Sequence, residues 1–260
     1  MNIIRCLKCD FLRLFHNYRF IKYQLFITIF TFILFVTNDV IGAKLPVLYY
    51  VSYETSMHTY LLVYPISFLV FGPCLMEDRE EHYFRQVFQR TGFFPYILSK
   101  SIVNMFTSVI SVMLSVFFSS LLLGIFKGWE VNIDSVAFLV NTDLGSLFET
   151  DHFMLCDLFI GLQLGMLSGL LSSIAFFVSS VVNDKIFASI MTFTGCMVIQ
   201  YIWGIIDKKG LVFLGYFIVS SNNNHYGDHW MIKCFCMMIL SFMLSLLLSW
   251  IVIKRRIQYE

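Results

Sequence analysis

Residues 237–253 read MMILSFMLSLLLSWIVI, and this run decides the class of the chain. None of its residues is charged, and apolar and polar positions do not alternate as they would on a strand of a membrane β-barrel. An α-helix crossing the hydrocarbon core of a bilayer needs about 20 mainly apolar residues. Residues 26–36, FITIFTFILFV, have the same character. Working outward from these runs, six segments are expected to span a membrane, at residues 22–41, 59–75, 96–126, 153–182, 186–206 and 231–253. Composition agrees, since 58% of the residues are hydrophobic and 13% charged, whereas a soluble domain carries about 25% charged residues. Mean hydropathy is +0.76. The expected fold is an all-α membrane protein, a single transmembrane domain over 1–260 with no room for a large soluble domain.

Lys and Arg set the orientation, because positive charge resists translocation. With six spans, Arg5, Lys8, Arg13, Arg19, Lys22, Arg79, Arg85, Arg90, Lys100, Lys185, Lys254, Arg255 and Arg256 fall on one side, thirteen of the 18 basic residues. Lys44, Lys127, Lys208, Lys209 and Lys233 fall on the other. Both termini and the loop after the second span are therefore expected in the cytoplasm, with the protein in the plasma membrane. Glu130, Asp134, Asp143, Glu149, Asp151 and Asp157 gather in or beside the expected outer loop.

The first 22 residues place Ile3, Ile4, Leu7, Phe11, Leu14, Phe15 and Tyr18 at helical spacing with basic residues between them. That pattern suits a helix lying in the inner membrane interface over 1–21, and it fits a cleaved secretory signal poorly. Seven cysteines are an odd number. Cys6 and Cys9 form a lone CxxC, with no second pair to complete a structural zinc site, so reduced structural thiols and no metal are expected. Gly161, Gly165 and Gly169 recur at every fourth position, the small-residue face that lets helix backbones approach closely in lipid.

The densest charge in the chain lies at residues 76–100, MEDREEHYFRQVFQRTGFFPYILSK. In so apolar a protein this interval is expected in water, as a short helix broken at Thr91 and Gly92 before Pro95 and the next span. Glu81 and Arg85 stand at i, i+4. Phe84, Val87 and Phe88 give the helix an apolar edge, either a docking surface or a connector lying against lipid.

The acidic pair after the second span, the charged helix, the glycine and the Ser99-Lys100 pair opening the third span resemble the loop of ABC-2 type transporter permeases. The resemblance extends to the layout: an amphipathic amino-terminal helix, six spans, a larger outer loop between spans three and four, and a tight inner turn at Asn183, Asp184 and Lys185. It implies a membrane subunit that pairs with a second permease copy or paralogue and is driven by a separate ATPase, most often for export. The helix between spans two and three is then the coupling element, with Glu77, Glu80, Glu81, Phe84, Arg85 and Phe88 as ATPase-contact or loop-ordering residues. No Gly-Lys dipeptide occurs, so the chain has no phosphate loop of the G-x-x-x-x-G-K-[ST] kind. ATP and Mg are accordingly expected on the partner, with no cofactor and no catalysis in this chain, and no nucleic-acid partner.

Two other classes stay open at this stage. Glu80, Glu81, Phe84 and Arg85 spell EExxFR, which resembles the first motif of CPBP intramembrane proteases. Such a site belongs in a cavity at membrane depth, whereas these acids are expected in a loop, and His152, in a chance FxxxH with Phe148, is expected on the opposite side of the bilayer. A non-transporting immunity or accessory membrane protein would act by binding alone. Among other polar residues, Asp39 is expected to reach water and Gln163 to bond a neighbouring helix. His225, Asp228 and His229 fit a solvated turn.

Overall fold

The computed structural model describes residues 3–16, 18–37, 47, 51, 72–80, 92–127, 153–206 and 230–259. Its elements are all helical: α1 (Ile3–His16), α2 (Arg19–Thr37), α3 (Cys74–Glu80), α4 (Phe93–Lys127), α5 (Phe153–Val181), α6 (Lys185–Ile206) and α7 (Trp230–Tyr259). Three stretches are long and apolar enough to cross a membrane, Phe93–Phe126, Met154–Val181 and Met231–Arg255, and α1 with α2, bent by 61°, passes the same test as a fourth. α2 and α6 stand where two more spans are expected. The expected span at 59–75 lies outside the described residues except for 72–75.

Local chemistry sets the helix ends. Tyr18, with φ of 49°, breaks the chain between α1 and α2. Gly92 takes a φ of +81° just before α4, a conformation that costs glycine little. Pro95 then sits in the first turn of α4, where a missing backbone N–H leaves no ladder bond unmade. At the turn between α5 and α6, the Asp184 carboxylate accepts the backbone N–H groups of Ile186 at 2.7 Å and Phe187 at 3.0 Å, capping α6.

The bundle is built around α5. Its apolar window is 78% buried, against 44% for α4 and 33% for α7, so α5 is the interior helix and α7 the peripheral one. Its glycines explain the close fit. A methyl group added at Gly165 would lie 2.7 Å from the Val109 carbonyl oxygen, and one at Gly161 would lie 3.1 Å from that of Met113. One at Gly169 would meet Val109 Cγ2 at 2.7 Å and Met238 Sδ of α7 at 2.9 Å. Backbone therefore approaches backbone along the α4–α5 seam, as packing without a hydrophobic driving force favours.

Hydroxyl and amide groups tie the same helices together. Ser108 and Ser168 share a hydrogen bond at 2.5 Å, and Asn104 Nδ2 donates to the Ser172 carbonyl at 2.7 Å. Ser173 and Ser241 join α5 to α7 at 2.7 Å, and Gln24 Nε2 of α2 donates to Ser115 Oγ of α4 at 2.9 Å. Asp157, expected in or beside the outer loop, lies at the start of α5 and is fully buried, with the Ser120 hydroxyl donating to its carboxyl. One turn into α5, it faces α4 rather than water.

Candidate functional site

The charged interval after residue 76 is only partly in water. α3 turns in from Gly72 and Pro73, with the backbone N–H groups of Met76 and Glu77 both donating to the Pro73 carbonyl at 3.0 Å. Cys74, Leu75, Met76 and Asp78 face inward, while Glu80 is exposed. Leu75 joins Tyr96 and Ile97 of α4, Phe176 of α5 and Phe242, Leu246 and Ile253 of α7 in one apolar cluster. Apolar side chains thus bring the start of α4 and the C-terminal parts of α5 and α7 together around α3.

Asp78 has no solvent exposure, and Lys100 is 1% exposed. This corrects the expectation that the whole interval is solvated, and the reason is charge balance. Lys100 Nζ sits 2.8 Å from an Asp78 oxygen and 3.0 Å from Asp10 Oδ1 of α1. Arg13 of α1 donates to the other oxygen of Asp78 and lies 3.8 Å from Glu77. The Tyr96 hydroxyl donates to Asp78 at 2.5 Å, and the Ser99 hydroxyl donates to Asp10 at 2.5 Å. Two carboxylates and two cations make a charge-balanced quartet in which every carboxylate oxygen has a partner, the condition under which buried charge is tolerated. Burial by itself would raise the Asp78 carboxyl; the Lys100 charge and the hydrogen bonds from Lys100, Tyr96 and Arg13 outweigh it and hold the group below the usual carboxylate range.

α4 has 35 residues, or about 52 Å of helix against a hydrocarbon core of about 30 Å. The surplus lets the Tyr96–Lys100 turn stand at the edge of the core rather than at its centre. The quartet fastens α1, α3 and α4 to one another at that level.

The other side of α3 faces the α5–α6 turn. Arg79 donates to the Ser180 carbonyl at 3.0 Å and to Asn183 Oδ1 at 3.4 Å, so a cation meets the C-terminal carbonyls of α5, where the helix dipole favours positive charge. Lys185 Nζ lies 2.6 Å from Glu80 Oε2, the two side chains being 37% and 57% exposed. α3 is thus held on one side by a buried ionic cluster and on the other by a solvated strap.

Of the sequence-derived contact residues, Glu77 is part of the buried side, at its rim, and Glu80 belongs to the strap. Glu81, Phe84, Arg85 and Phe88 lie outside the described residues. The structure adds Asp10, Arg13, Asp78 and Lys100, none of which was named from the sequence as a contact residue, although the Ser99-Lys100 pair stood out as the opening of a span. Two cues were available: Lys100 follows the apolar stretch that opens a span, and Asp10 is the lone acid of a basic amphipathic segment. Among the described residues, no group of three or more His, Cys, Asp or Glu side chains is arranged to hold a metal ion. No known protein-family model matches the chain, and no curated protein matches it.

Proposed function

We propose that this chain is the membrane-spanning permease subunit of an ATP-driven ABC transporter of the ABC-2 type. In this proposal it has six spans and cytoplasmic termini, works in export, and pairs with a second permease. A separate ATPase pushes on the loop at residues 77–92. The supporting observation is the anchoring of α3, the helix leading directly into that loop: its side chains are fastened to α1 and α4 on one side and to the α5–α6 turn on the other. A displacement of the loop would thereby reach four helices at once, which is what a subunit lacking its own nucleotide site requires of its coupling element.

Glu80 bears on the intramembrane-protease alternative. A pair of catalytic acids would share a water-holding cavity at membrane depth, whereas Glu80 is exposed and paired with Lys185. The test is a pull-down of the tagged chain in mild detergent, probed for a nucleotide-binding subunit and for a second permease. Both are expected to co-purify, and Phe84→Ser with Phe88→Ser is expected to weaken the ATPase interaction. Undiminished association together with ATP-dependent transport in that double variant would overturn the assigned contact, and a stable partnerless chain would overturn the transporter.

A further inference from the structure

We infer that the outward face of α1 binds anionic phospholipid headgroups of the leaflet beside it. α1 has two faces with different chemistry. Cys6, Asp10 and Leu14, spaced by four, are buried, and Arg13 turns toward Asp78 and Glu77. On the outward side Ile4, Leu12 and Phe15 are 74%, 58% and 50% exposed, and Arg5 and Lys8 are exposed among them. At 100° per residue these five positions fall within an arc of about 100°. Apolar and cationic side chains share one surface, with no segregation that would let water cover one kind and lipid the other.

The acids at this end of the bundle are already engaged. Asp10 and Asp78 are taken by Lys100 and Arg13, Glu77 lies beside Arg13, Glu80 pairs with Lys185, and Asp184 caps α6. Among the described residues, Arg5 and Lys8 therefore have no carboxylate opposite them. Lys254 and Arg255 at the end of α7 are exposed in the same way. α7 reaches this end through Ile253 and Trp250, which pack with Tyr96 and Ile97, and Lys254 lies over the Trp250 ring at 5.1 Å. The result is a belt of unneutralised cations around the end of the bundle that also carries the quartet.

A surface combining exposed Ile, Leu and Phe with unpaired Arg and Lys matches the boundary between acyl chains and phosphates. The 61° bend between α1 and α2 turns α1 away from the direction of α2, so its flank can lie in that boundary. Each cation near an anionic leaflet strengthens binding about fivefold at moderate salt, and the effect is screened by added salt. This inference rests on membrane placement and not on the ATPase, and it is read without any partner protein.

The test uses the full chain purified into nanodiscs of equimolar phosphatidylglycerol and phosphatidylcholine, with retained lipid counted by native mass spectrometry after extraction. The wild type is expected to retain phosphatidylglycerol preferentially. Arg5→Gln with Lys8→Gln is expected to reduce that preference about fivefold per charge removed, Arg5→Lys is expected to keep it, and high salt is expected to abolish it. The substituted side chains are exposed, so unfolding is checked by an unchanged Tm. Equal retention of the two lipids by the wild type, or an undiminished preference in the double variant, would overturn the inference. So would loss of ATPase association in the double variant with lipid retention unchanged, because α1 would then be a protein-docking face.

Discussion

The two sides of α3 use the same kinds of residue and differ in their solvent. Asp78 and Glu80 are two positions apart on one helix, each opposite a lysine at under 3 Å. Asp78 is sealed from water and shared by Lys100, Arg13 and Tyr96, while Glu80 and Lys185 stand in solvent. A buried pair stripped of one partner leaves an uncompensated charge in a medium that cannot solvate it. An exposed pair stripped of one partner leaves a hydrated side chain. The first side is therefore a fixed attachment and the second an adjustable one, so a force arriving through residues 81–91 would open the strap before it moved the quartet.

The sharpest way to break this comparison is to remove the cation at its centre. Lys100→Met strands Asp10 and Asp78 without their shared partner and is expected to cost about 3–5 kcal/mol, read as a large fall in Tm of the detergent-purified protein. Adding Asp78→Asn to Lys100→Met should return part of the loss. A Lys100→Met protein as stable as wild type would show that the quartet is not what holds α1 and α3 to α4.

Whether the two sides of α3 move independently depends on the seam between their supports, since Lys100 belongs to α4 and Ser180 to α5. Gly165→Val would force side-chain atoms into the Val109 carbonyl, already 2.7 Å from a bare Cβ, and is expected to cost about 1–3 kcal/mol by overpacking. Gly195→Ala is the control. A methyl there meets nothing within 4 Å, and replacing a mid-helix glycine is expected to be neutral or to stabilise by about 0.5–1 kcal/mol. Equal falls in Tm for the two variants would dissolve the seam as a rigid link.

The helices were legible because lipid imposes a simple rule on sequence: uninterrupted apolar length. The runs at 96–126, 153–182 and 231–253 correspond to α4, α5 and α7, with boundaries displaced by a few residues where Phe93 and Phe94 join the helix ahead of Pro95. The quartet was not legible, because its members come from residues 10, 13, 78 and 100, and charge density alone reads as solvation. Only tertiary pairing converts Asp78 from a loop acid to a buried one. The burial of Asp157 was not legible for a related reason: an acid near a span end usually reaches water, but Ser120 offers it a hydroxyl inside the bundle. The polar stripe Asn104, Ser108, Ser111, Ser115 and Ser119, all buried on α4, was readable from its three-and-four spacing. It points α4 at its neighbours as clearly as the glycines point α5.

Acid should separate the two sides of α3 next. Asp78 is held below the usual carboxylate range, so its contribution to stability is fully present above its unfolded value of about 3.9 and is lost as pH falls through the lower folded value. Between pH 7 and 5 this group should leave Tm unchanged, and below about pH 4 Tm should drop as Asp78 binds a proton and releases Arg13 and Lys100. Asp78→Asn should flatten that acid limb at the expense of stability at neutral pH. An acid limb of equal size in wild type and Asp78→Asn would assign the transition to other carboxylates.

The smallest expected effect on stability is at the strap, and it discriminates best between holding and moving. Lys185→Gln removes an exposed pair worth about 0–1 kcal/mol, so Tm should shift little, and salt should erase even that difference. Glu80→Lys should be slightly worse because it places two like charges together, and combining it with Lys185→Glu should restore the pair. If the strap is the contact that opens when an ATPase moves the loop, these variants should alter ATP-dependent transport at unchanged stability, with the charge-swapped double variant recovering it. A Lys185→Gln loss in Tm as large as that of Lys100→Met would instead mean that both sides of α3 are fixed attachments, and the loop would then have to act on the bundle as one rigid piece.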